Sequence, residues 1–166
     1  MPFVARPVDV IEEDVGAPIA VAGENALRKA IAAGAAADEV TLGVDTIVVL
    51  DLEIYGKPPT AEAARSTLER LSGRTHEVIS AVALLRADGS VAAAQERTEV
   101  TFRTLDGPTL DWYVASGEWD GRAGGYAIQG RGGALVQRID GDYLNVVGLP
   151  VGALLGLVPD LLTCAA

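Results

Sequence analysis

The chain has 166 residues but only one cysteine, Cys164, and one histidine, His76. A lone cysteine excludes an internal disulfide and suits a reducing cytoplasm. Without His76 no Ser/His/Asp set can be assembled, and there is no zinc cluster. His76 follows a helix stop and is read as a structural group that ties Ser72-Gly73-Arg74 to a sheet. Basic residues are scarce, 13 against 23 acidic ones, for a formal net charge of −10. That balance argues against nucleic acid backbones and anionic membranes as partners. It does not exclude a nucleotide, because a small site can be locally basic or use a metal. No apolar run approaches membrane-spanning length. The N-terminal MPFVARPVDVIEED lacks a signal-peptide pattern, so a cytoplasmic location is expected. Internal repeats are absent. The glycines at 130 to 133 are not a P-loop, since the Lys-Ser/Thr pair is missing.

What is present suits one globular domain over residues 1–166, with 49% hydrophobic and 22% charged residues. Residues 24–33 predict a helix with Leu27, Ala30 and Ile31 on its inner face, Lys29 off that stripe, and Gly34 as its stop. Asp51-Leu52-Glu53 predicts a turn. Thr60 is a good N-cap for a helix whose buried stripe is Ala64, Leu68 and Leu71, ended by Gly73. His76 to Leu85 reads as a strand, Asp88-Gly89 as a turn, and Val100 with Phe102 as part of another strand. Pro108 opens a short helix with Leu110, Tyr113 and Val114 inward and Gly117 beyond it. Leu135–Ile139 and Tyr143–Val147 read as two strands around an Asp140-Gly141 hairpin. Val151–Leu157 is a last apolar helix. Interleaved helices and strands give an α/β class with a mixed sheet.

The run Gly43-Val44-Asp45-Thr46-Ile47-Val48-Val49-Leu50, closed by Gly56-Lys57-Pro58, carries the most information. Ile47 to Leu50 fit a strand buried on both faces. Aspartate disfavours strands and is costly to bury unpaired, so Asp45 needs a reason. A metal ion or a reacting water is one, with Lys57 nearby for an anionic substrate; a turn aspartate capping a loop is the other. Residues 116–150 form a second block, dense in glycine yet anchored by Tyr126, Ile128, Leu135, Val136, Ile139 and Val146. Its composition resembles a pocket wall, with Arg122, Gln129 and Arg131 able to bind a ligand.

GVDT with GKP, then LSGRTHEV, AGGYAIQGRGG and GDYLNVVGLP, in that order, resemble the Maf family of nucleoside triphosphate pyrophosphatases. The resemblance runs from about Phe3 to the C-terminus. It implies an elongated mixed sheet flanked by helices, two lobes, and a nucleotide cleft between them. It implies cleavage of an α–β phosphoanhydride to a monophosphate and pyrophosphate, aided by a divalent cation, Mg²⁺ or Mn²⁺. Asp45 would then be catalytic and, with Glu12, a metal ligand; the alternative for Glu12 is a solvated acidic run with Glu13 and Asp14. Lys29 and Lys57 match lysines near the phosphates, although an exposed helix lysine is the usual case for Lys29. Thr46 and Gln129 match specificity positions of the dTTP and UTP branch, against a strand threonine and a loop glutamine bonded to backbone. Arg131 would join them in binding substrate, and a homodimer is compatible with the pattern.

The family opens with a strand and a Ser-x-Arg-Arg loop that binds triphosphate, and this sequence starts after that unit. Arg122 stands where the family usually has lysine, and Trp119 where it has proline. A longer native form is therefore expected. A catalytically weak, nucleotide-binding regulator of cell division or septum formation is carried as the second reading.

Overall fold

The described residues of the computed structural model are 3–34, 36 and 39–163; Cys164 lies outside them. They build strands β1 (Val40–Leu50), β2 (Glu53–Tyr55), β3 (Thr75–Arg86), β4 (Val91–Phe102) and β5 (Val136–Asp140). The sheet order is β2-β1-β3-β4-β5. The α/β class holds, with helices on both faces. The pairing, however, is antiparallel throughout rather than mixed. Two of the connections are tight turns, at Asp51-Leu52 and Asp88-Gly89, and so short a link can only join antiparallel neighbours. The first turn also hands the chain into β2, so Glu53 is a strand residue rather than part of the turn.

Helix α1 (Pro18–Ala33) covers one face and starts six residues before the expected helix. Its start carries no capping side chain; Pro18 at the first turn marks it. Its inner stripe is Ala22, Ala26 and Ala30, while Ile31 is 58% exposed. The stripe must be small because α1 lies almost against β1: a Cβ on Gly43 would sit 2.0 Å from the Ala26 carbonyl oxygen. Ile47, Val49, Ile79, Ala81 and Ala83 complete this layer.

The other face holds the larger core, where Val48, Leu50, Val78, Val100 and Phe102 meet α2 (Ala61–Leu71) and α3 (Gly107–Val114). Thr60 caps α2 by accepting from the Ala63 amide, and Ala64, Leu68 and Leu71 are buried as expected. Alternation along β1 thus sends Ile47 and Val49 one way and Val48 and Leu50 the other. All four are buried.

The segment after β5 is a helix, α4 (Tyr143–Val147), rather than the second strand of a hairpin. Asp142 caps it by accepting from the Leu144 amide, and Gly148 ends it in a left-handed conformation. These end signals outweigh the β-branched content of so short a segment. Asn145 of α4 is fully buried and donates to the Val78 carbonyl and the Thr98 hydroxyl, which pins the helix to β3 and β4. Helix α5 (Val151–Leu157) follows.

Candidate active site

Strand β2 pairs only with Val48–Leu50 of β1. Among the described residues, the β1 edge from Val40 to Ile47 has no strand beside it on that side. At this edge side chains from both faces of the sheet reach one cavity of about 240 Å³. Lys29, Asp45, Thr46, Lys57, Arg122 and Gln129 all line it. The glycine-rich block does form its wall. Gly124 is left-handed (φ 65°), and a Cβ there would lie 2.7 Å from Val48 Cγ2. Its amide donates to the Gly56 carbonyl, which fixes the wall against the segment carrying Lys57.

Asp45 is buried, and two groups account for it. Lys29 Nζ lies 2.6 Å from its Oδ1, and Asn25 Nδ2 donates to its Oδ2 at 3.2 Å. Lys29 also lies 2.8 Å from Glu12 Oε1, and Lys57 Nζ lies 2.7 Å from the same oxygen. The order is therefore Asp45–Lys29–Glu12–Lys57. Partial burial opposes charge on both Lys29 and Glu12, but their bonds outweigh it. Bonds to Asp45 and Glu12 raise the Lys29 ammonium above its ordinary value. Bonds to Lys29 and Lys57 hold the Glu12 carboxyl below its own.

Arg122 forms no ion pair among the described residues. Three cationic groups thus face two carboxylates here, a local excess of positive charge in a strongly acidic chain. That suits a polyphosphate.

The carboxylates also fit a hard divalent cation. Asp45 Oδ1 and Glu12 Oε1 converge on a single nitrogen, at 2.6 and 2.8 Å. No cluster of three or more His, Cys, Asp or Glu side chains suited to a metal occurs among the described residues. Two carboxylates suffice for Mg²⁺, which keeps waters and takes phosphate oxygens as further ligands.

The structure thus gathers Lys29, Asp45, Thr46, Lys57 and Gln129 at the cavity, with Glu12 joined through the lysines. Arg131 is not among the lining residues. Its backbone amide donates to Glu118 Oε2 at 2.6 Å, its guanidinium lies 3.9 Å from Glu118 Oε1, and it rests 5.9 Å over the Trp112 ring. Glu118 and Trp112 hold it elsewhere. His76 does not tie Ser72-Gly73-Arg74 to the sheet: Ser72 Oγ accepts from the Leu105 amide and Arg74 pairs with Asp51. His76 is buried, shares a 2.9 Å hydrogen bond with the Tyr126 hydroxyl, and packs edge-on against Phe102.

Asn25 was not singled out from the sequence, because one polar residue within a helix reads as surface. It is 1% exposed. Besides its bond to Asp45, its amide brackets Glu13, donating to the Glu13 carbonyl and accepting from the Glu13 amide. The neighbouring Glu12 is thereby held in place over Lys29. Ser80, opposite Thr46 in the β1–β3 register, was also missed, since nothing distinguishes it from other strand serines.

A family model described as Maf-like protein matches residues 1–161. A dTTP/UTP pyrophosphatase of Pyrococcus furiosus is 44% identical over 72% of this chain, and the match spans 63% of that protein. One of Symbiobacterium thermophilum is 46% identical over 91% of the chain and 79% of its own length. A third, of Bacillus cytotoxicus, is 45% identical over 89% of the chain and 78% of its own length. No described helix is long and apolar enough to cross a membrane. With its cavity, its carboxylate–lysine network and these matches, the chain belongs to the Maf family.

Proposed function

We propose that this chain is a nucleoside triphosphate pyrophosphatase acting on dTTP and UTP. The observation that carries the reading is the convergence of Asp45, Lys29, Lys57, Thr46 and Gln129 on one cavity. The names of the relatives support the same activity.

Lys29, Lys57 and Arg122 bind the triphosphate, and Thr46 and Gln129 take the base. Asp45 and Glu12 would hold a divalent cation, Mg²⁺ or Mn²⁺. When bound, that cation supplies neutralisation of phosphate charge and polarisation of the reacting groups. Asp45 orients the attacking water and accepts its proton. The water oxygen bonds to the α-phosphorus, the α–β bridging oxygen leaves with pyrophosphate, and the nucleoside monophosphate remains. Asn25 holds Asp45 in the orientation this requires. The reading places the protein in the cytoplasm, with its substrates.

Product analysis after incubation with dTTP or UTP and Mg²⁺ tests this. Pyrophosphate and the monophosphate should appear together, and neither should form with excess chelator. Orthophosphate and a diphosphate as first products would overturn the cleavage site.

A further inference from the structure

Thr46 has a hydrogen-bond polarity that its protein partners set. Ser80 is fully buried in β3 directly opposite Thr46, and their hydroxyl oxygens are 2.8 Å apart. Ser80 Oγ lies 3.1 Å from the Asn145 carbonyl oxygen, which can only accept. The Ser80 hydrogen therefore points at α4, and Thr46 is the donor in the Thr46–Ser80 contact. The Gly148 carbonyl, on the cavity wall, lies 3.5 Å from Thr46 Oγ1, too far to compete with Ser80 for its hydrogen. A hydroxyl chain ending on a carbonyl in the last turn of a helix is cooperative and favours this direction.

We propose that Ser80 is a specificity-determining residue that makes Thr46 a pure acceptor toward the ligand. Thr46 lines the cavity with lone pairs and no hydrogen. It accepts from a ring N–H, as the imide of uracil or thymine offers. Cytosine carries a lone pair on that ring nitrogen, and two acceptors face one another. The Asn145 carbonyl of α4 thus acts on base choice through two hydroxyls. This rests on reading the cavity as a nucleotide site, but not on cleavage.

The test is equilibrium binding of the α,β-methylene analogues of UTP and CTP, which cannot be cut at the proposed bond. Wild type should bind the uridine analogue at least roughly tenfold more tightly. Ser80→Ala frees the Thr46 hydrogen to turn into the cavity. The preference should then fall several-fold, mainly through tighter binding of the cytidine analogue. Thr46→Val should instead weaken the uridine analogue and leave the cytidine analogue unchanged or improved, while Thr46→Ser should keep the wild-type ranking. A Ser80 of purely structural importance would shift both analogues equally in Ser80→Ala, and that result overturns the proposal. So does a Thr46→Val that weakens the cytidine analogue alone, which also decides the matter if Ser80→Ala does not fold. A wild type without preference overturns it too. If the analogues obey this pattern while UTP yields no pyrophosphate, the proposed activity fails and the polarity stands.

Discussion

Lys29 Nζ lies 2.6 Å from Asp45 Oδ1, and the carboxylate it neutralises is 4% exposed. A buried carboxylate is tolerated only when paired, so the lysine is part of what lets Asp45 occupy β1. Lys29→Met should lower stability by about 2 kcal/mol, and the melting temperature by roughly 4–8 °C at neutral pH. An unchanged melting temperature would show that Asn25 and water suffice for Asp45.

The same network gives an acid-side signature for Glu12. Its carboxyl sits below the ordinary 4.5, so its contribution is present above that value and is lost as pH falls through the lower folded-state value. Glu12→Gln should therefore unfold at a lower temperature than wild type at neutral pH, and the gap should close in acid. A gap that is constant across that range would mean Glu12 stabilises nothing through charge.

His76 acts in the same direction at higher pH, through burial rather than pairing. Burial pushes its imidazole from 6.5 down to about 4, so it is neutral in the folded protein. Between those values the unfolded chain binds the extra proton, and stability falls as pH drops from about 6.5 toward about 4. The loss attributable to this group is up to about 3 kcal/mol. His76→Gln should flatten that part of the stability–pH curve. Thermal unfolding of both proteins across the window checks it, and parallel curves would show that other groups dominate.

How much of this was legible in the sequence depends on whether a signal is local. Asp45 stands out because a carboxylate precedes four buried apolar residues, and Thr60 announces α2 by its position before a helical stripe. Tyr143–Val147 misleads because its apolar and β-branched residues suit a strand, whereas Asp142 and Gly148 at its ends decide for a helix. The inner stripe of α1 is set by how closely Gly43 lets it approach β1, which no local pattern within the helix reveals. Arg131 read as a ligand-binding residue from its glycine neighbours, but Glu118, thirteen residues earlier, holds it. Asn25 and Ser80 matter only through partners distant in sequence.

Gln129 is exposed at the cavity and offers both a donor and an acceptor. Gln129→Ala should blur base selection more than it slows cleavage of the best substrate, because a site that hydrogen-bonds its substrate rejects analogues by leaving groups unpaired. Relative efficiencies on dTTP, UTP, CTP and 7-methyl-GTP are the readout. An unchanged ranking would remove Gln129 from base recognition.

The most direct measurement is turnover of dTTP with Mg²⁺ by wild type and by Asp45→Asn, each confirmed as folded by circular dichroism. Asparagine keeps the shape of the side chain and removes the charge that would hold a cation and accept the proton from water. Pyrophosphate release should fall by roughly 10²–10⁴-fold, as expected for loss of a general base. A folded Asp45→Asn protein that releases pyrophosphate at the wild-type rate would contradict the account.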